Sequence, residues 1–299
     1  MRSAAFVVLA MLVLAPAQSA RADSPTDYLG PRELAVGEAM RADARGATAI
    51  TLNPAGLALS RELAFDATYG YSGGGDTSDH AATVSGCDST TPISGCLYYR
   101  YFLKPGDQNR FRVHEVGSTA ARAFGQSAAT GITVKYFDTA GPGEDDSGFA
   151  VDAGLVVRLA ESFSVGVVGH NLINGGAIQY PRAVGAGLTA RLLPVFSLHA
   201  DGMWQIERED GEGSTGRYGG GAEYFLSTAD QQTGYPLRIG LVHDVALDAT
   251  YVTGGLGITT SSVALDLGAR KQLEGDEITV LASLRIFGPR MAPGANKYQ

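Results

Sequence analysis

Beyond its N-terminal segment the chain lacks any apolar run approaching the ~20 residues that a membrane-crossing helix needs. Mean hydropathy is +0.01, which excludes a helical membrane bundle. It does not exclude a membrane β-barrel, whose strands show lipid only every second side chain. Basic charge is also scarce: 23 Lys and Arg stand against 31 Asp and Glu, a net charge of −8. A phosphate-binding surface needs clustered Lys and Arg, so nucleic acid is excluded as a partner. Only 2 cysteines occur, Cys87 and Cys96, and no His pair lies near them to complete a zinc site. They suit one bridge in an oxidising compartment, with two free thiols as the alternative. Catalytic patterns are missing too. Gly211 to Gly216 spells GxGxxG but joins two strand-like segments instead of opening a helix. Ser162, His170, His199 and Asp201 fall in no order that defines a Ser-His-Asp site. No catalytic residue, metal or cofactor is expected, and the chain does not read as an enzyme.

Glycine, in contrast, is abundant at 40 of 299 residues, well above the usual ~7%. No Gly-x-y period runs through the chain. Glycines scattered within alternating segments suit bulges and kinks in a curved sheet. The N-terminus carries Arg2, a short apolar stretch from Ala4 to Pro16, and the small-x-small run Ala20-Arg21-Ala22. This predicts a signal peptide over 1–22 and export of a chain that starts at Asp23.

Residues 23–61 show no two-residue alternation. Good helix formers occupy Pro31 to Arg45, with Pro31 placed to start and Gly46 to stop a turn, so one or two short helices are expected. The run Asn53-Pro54-Ala55-Gly56 follows. Pro54 pushes Asn53 toward an extended backbone, and the Asn53 amide can then bond nearby main chain.

From residue 62 the period becomes two. Leu63, Phe65, Ala67, Tyr69 and Tyr71 alternate with Ala64, Asp66, Thr68 and Gly70. Further along, Phe196, Leu198, Ala200, Gly202 and Trp204 alternate with Ser197, His199, Asp201, Met203 and Gln205. Alternation of this kind gives each strand one apolar and one polar face. Continued over 62–287, it yields about fourteen segments of spanning length, an even number as in bacterial single-chain barrels. They start near residues 62, 79, 92, 111, 127, 148, 162, 183, 195, 217, 235, 249, 261 and 277, the second and fourth being the least regular.

Odd connections are longer and polar, whereas several even ones are minimal, the asymmetry expected of outer loops and inner turns. The acidic stretches 143–146 and 207–210 read as solvated loop tips. Aromatics gather near segment ends: Tyr69, Tyr71, Tyr101, Phe102, Tyr136, Phe137, Trp204 and Tyr251 toward the outer rim, and Phe124, Phe163, Phe196, Tyr224, Phe225, Tyr235 and Phe287 toward the inner. Two membrane-interface belts are expected. The final segment ends on Phe287, and a tail, 288–299, follows.

On the polar faces lie Asp66, Arg100, Lys135, Asp152, Arg158, Asp201, Arg238, Asp266, Arg270 and Arg285. Turned to lipid, each could cost ~2–4 kcal/mol, so all are expected in the lumen. Both signs occur, which points to paired networks around the N-terminal segment. Cys87 and Cys96 fall on the inward face of segments two and three near their shared turn, within reach of a disulfide.

The stretch from Arg45 to Ala58, and Asn53-Pro54-Ala55-Gly56-Leu57-Ala58 within it, resembles the signature that ends the N-terminal plug of FadL-like outer-membrane proteins. The PorV/PorQ group carries a similar run. The resemblance implies an all-β, transmembrane antiparallel up-and-down barrel of about fourteen strands with a short helical plug over 23–61. Asn53, Pro54, Ala55 and Gly56 would form the plug motif. It further implies a bacterial outer-membrane location among outer-membrane lipid and lipopolysaccharide, and insertion by the barrel-insertion machinery, which reads the terminal aromatic. Passive uptake of hydrophobic small molecules such as fatty acids is the implied function. A PorV-like role as a binding or scaffold partner of a secretion-system protein is the alternative. Short polar loops and a charged lumen depart from a greasy fatty-acid tunnel.

Overall fold

The computed structural model describes residues 30–74, 77–105, 111–141, 146–174, 180–206, 215–229 and 232–288. The expected signal segment, most of the tail and most of both acidic loops lie outside them. Fourteen strands follow the N-terminal segment. The first seven are β1 (Leu63–Gly74), β2 (Thr77–Asp88), β3 (Ser94–Lys104), β4 (Phe111–Phe124), β5 (Ala128–Ala140), β6 (Asp146–Ala160) and β7 (Phe163–Asn174). The second seven are β8 (Ala183–Leu193), β9 (Phe196–Gln205), β10 (Thr215–Ser227), β11 (Gly234–Asp244), β12 (Ala249–Thr259), β13 (Val263–Gln272) and β14 (Ile278–Phe287). Each pairs antiparallel with its sequence neighbours, and β1 pairs with β14, which closes the barrel. Closure leaves no strand edge unpaired, a requirement for a sheet in lipid. The two least regular segments, β2 and β4, are full strands.

The period-two pattern sets the two faces. On β11, Leu237, Ile239 and Leu241 point outward, Ile239 with 64% of its surface exposed, while Arg238, Gly240 and Val242 point inward and are buried. Similar rows of exposed Leu, Ile and Val occur around the wall. An outer surface this apolar belongs in hydrocarbon, so the barrel spans a membrane.

Three rings assigned to the outer belt lie inside. Phe102, Phe137 and Tyr251 are fully buried, whereas Tyr136 and Trp204 face out. In the pairs Tyr101-Phe102 and Tyr136-Phe137, successive side chains must take opposite faces, so one ring of each pair enters the lumen.

The N-terminal segment fills the lumen. It holds two short helices, α1 (Pro31–Ala35) and α2 (Thr48–Leu52), and a 3₁₀ helix over Pro54–Leu59. Helix does not continue from Ala35 to Arg45. Gly37 and Glu38 adopt positive φ, 71° and 61°, and turns occupy the stretch because ion pairs with the wall hold it there. Buried Val36, Met40, Leu52 and Leu57 pack with Tyr98 and the Cys87–Cys96 disulfide, which joins opposed residues of β2 and β3.

Candidate functional site

The plug's central contact is Asn53. Its backbone is extended, φ −164° and ψ 108°, and Pro54 starts the 3₁₀ helix. Asn53 Oδ1 accepts from the Ala55 amide at 3.1 Å. Asn53 Nδ2 donates to the Arg41 carbonyl at 2.9 Å, and lies 3.3 and 3.4 Å from the Leu155 and Val167 carbonyls of β6 and β7. One fully buried amide thus joins two parts of the plug to two wall strands.

Glycines make that approach possible. A Cβ on Gly154 would overlap Asn53 Oδ1, one on Gly166 the Arg41 carbonyl, and one on Gly131 the Pro54 main chain. Gly56 meets Ala44 in the same way. On the opposite wall, Gly219 and Gly240 leave room for Gly37. Much of the glycine ascribed to sheet curvature therefore serves as seats for the plug.

Ion pairs complete the attachment. Arg32 lies 3.1 Å from Glu223, which also binds Arg238 at 2.6 Å, and Arg238 in turn holds Asp266. Glu38 meets Arg270 at 2.8 Å and Arg217 at 3.3 Å. Asp201 accepts from the Arg41 amide at 2.8 Å and from its guanidinium at 3.1 Å. Burial alone would raise the Glu38 carboxyl, but the Arg217 and Arg270 charges outweigh it and hold Glu38 below its ordinary value. Removing one partner of such a buried pair strands the other, at about 3–5 kcal/mol.

Other charges pair within the wall. Asp66 and Arg285 meet at 2.8 Å across the β1–β14 seam, and Lys135 and Asp152 at 2.9 Å. Arg100 faces Glu115 at 3.5 Å. Arg158 sits toward the inner rim and donates to the Gln126 carbonyl at 3.4 Å. Of the ten polar-face charges read from the sequence, the structure brings Asp201, Arg238, Asp266 and Arg270 into the network that reaches the plug. Sequence reading missed the partners Glu115, Glu223, Arg32, Glu38 and Arg41. Glu115 and Glu223 were within reach, since register sets them directly opposite Arg100 and Arg238. The plug residues had no periodic signal.

Toward the outer end of the lumen lies an aromatic cluster, which also touches the plug through Leu34. Phe102, Phe111, Val113, Phe137 and Tyr180 pack together. Tyr180 enters from the β7–β8 connection and stacks on Phe137, with ring centres 4.1 Å apart. A bulge directs that connection. Asn171 takes positive φ, 53°, its amide donates to Asp152 at 2.7 Å, and its side chain holds the Pro181 carbonyl at 2.9 Å. A small cavity of about 40 Å³ lies next to the cluster, walled by Tyr98, Glu115, Lys135, Asp152 and the plug's Glu38 and Arg41. A second, also of about 40 Å³, lies toward the inner side against Arg32, Asp66 and Arg285. Both touch Ile50, Thr51 and Arg100, where they come closest.

No family model matches the chain, and no curated protein matches it by sequence. Solved structures do match. The CymD monoaromatic hydrocarbon channel aligns with a TM-score of 0.66 at 13% identity, over 90% of this chain and 99% of its own. The Pseudomonas putida toluene transporter TodX aligns at 0.63 and 10% identity, over 85% and 96%. A Pseudomonas aeruginosa FadL homologue aligns at 0.61 and 10% identity, over 86% and 97%. In fold, the chain is a FadL-like fourteen-strand β-barrel closed around an N-terminal plug.

Proposed function

We propose that this protein is a passive channel for small hydrophobic molecules in the bacterial outer membrane, set among lipid and lipopolysaccharide after delivery by the barrel-insertion machinery. One observation carries the reading: an aromatic cluster lies at the outer end of a plugged lumen, next to a cavity above the plug. A compact apolar solute entering that cavity meets the Tyr98 ring, and apolar surface buried against it contributes about 25 cal/mol per Å². The names of CymD and TodX, a monoaromatic hydrocarbon channel and a toluene transporter, support small aromatic solutes. Long alkyl chains suit the site poorly, because charged side chains line both cavities.

Uptake of radiolabelled toluene by Gram-negative cells tests the reading. Cells making this protein should take up toluene faster than cells making a barrel of unrelated specificity. Equal rates, together with a protein partner that co-purifies from the membrane, would replace transport with a scaffold role.

A further inference from the structure

Tyr180 sits in the lumen as a ligand would. It belongs to no strand, yet it is fully buried. Its ring stacks on Phe137 at an interplanar angle of 16°. Lys135 Nζ lies over the ring, 5.6 Å from its centre. The hydroxyl donates to Glu115 Oε2 at 2.7 Å, and Arg100 lies 3.5 Å from the other carboxylate oxygen. Stacking surface, a cation over the ring and a charged acceptor for one hydroxyl together make a receptor for a phenol. Two main-chain tethers hold the occupant in place, Asn174 to the Tyr180 carbonyl at 2.8 Å and Asn171 to that of Pro181 at 2.9 Å.

We propose that Phe137, Lys135, Glu115 and Arg100 form a binding site for small phenols, and that Tyr180 is its built-in occupant, displaced when a solute arrives. The proposal deepens the uptake reading and rests on it for its place in transport. The cavity above the plug shares Arg100, Glu115 and Lys135 with the site, so a displaced Tyr180 would open the site into that cavity. Ligand charge and polarity then sort the solutes. A phenol restores the hydrogen bond that Tyr180 gives up. Toluene can stack but leaves Glu115 without that donor. Benzoate would bring a second carboxylate against Glu115 and is disfavoured by like-charge repulsion.

The test uses calorimetry on the full chain in detergent, with p-cresol, which copies the tyrosine side chain, and toluene as probes. In Tyr180→Ala, p-cresol should bind about tenfold more tightly than in the unsubstituted protein, and about tenfold more tightly than toluene. Adding Glu115→Gln should shrink the preference for p-cresol while toluene binding holds. A folded Tyr180→Ala protein, judged by heat-dependent gel mobility, that binds p-cresol no better than the parent or no better than toluene overturns the site. Tyr180→Phe covers the case in which alanine prevents folding. It keeps the ring but drops the hydroxyl, so p-cresol should compete more easily than in the parent, and unchanged affinity would count against the proposal. The uptake assay fails separately: phenol binding without toluene or p-cresol uptake by cells removes the transport reading and leaves the site.

Discussion

At the residue scale, function depends on positions with no side chain as much as on those that carry charge. Gly154 faces the Asn53 amide with no space for a Cβ, whereas Gly95 on β3 has nothing within 4 Å of that position. Gly154→Val should therefore displace the plug at an overpacking cost of about 1–3 kcal/mol, while Gly95→Ala should leave it seated. Limited proteolysis of the plug in the folded barrel distinguishes the two, and equal resistance would show that the seat is not needed. The sequence revealed Asn53 as a turn residue because Pro54 follows it. It could not reveal that Asn53 reaches two wall strands, since its partners Leu155 and Val167 lie 102 and 114 residues away. Glycine was legible as an excess but not as a set of seats, because a seat is defined by what approaches it.

At the element scale, strands were the most legible part of the chain. Their alternation is local, and lipid on one side enforces it over every residue. Ile239→Arg, on the outer face of β11, should lower barrel stability by about 2–4 kcal/mol if it lies near the membrane midplane. Urea unfolding in lipid vesicles reads this directly, and an unchanged midpoint would place Ile239 away from hydrocarbon. The plug was less legible. Of the one or two short helices expected over Pro31 to Arg45, α1 forms there, and the turns at Gly37 and Glu38 that follow it are imposed by distant partners.

Those partners give the plug a pH response. Because Glu38 is held below its ordinary value of 4.5, its anchoring is fully present above that value. It is lost as the pH falls through the lower native one. The plug should resist protease at neutral pH and at pH 5, and become cleavable only in stronger acid. Glu38→Gln should be cleavable at neutral pH. A plug that loosens between pH 5 and 7 would mean that another group controls it.

At the scale of the whole molecule, wall and plug interlock through main chain as well as side chains. Gly37 donates to Thr253 Oγ1 at 3.1 Å, and that hydroxyl donates to the Ala35 carbonyl at 3.0 Å. Asn53 makes a similar fastening to β6 and β7. The seam between the first and last strands closes over this arrangement with the Asp66–Arg285 pair. Such a fit cannot be threaded afterwards, because each seat lies recessed within a finished cylinder. Assembly must then run in one order, with the stopper lodged while the staves still stand apart and the hoop drawn shut last. A peptide spanning residues 30–60, supplied to a truncated barrel that has already closed, should fail to bind, whereas the same peptide present during folding should be trapped and resist washing.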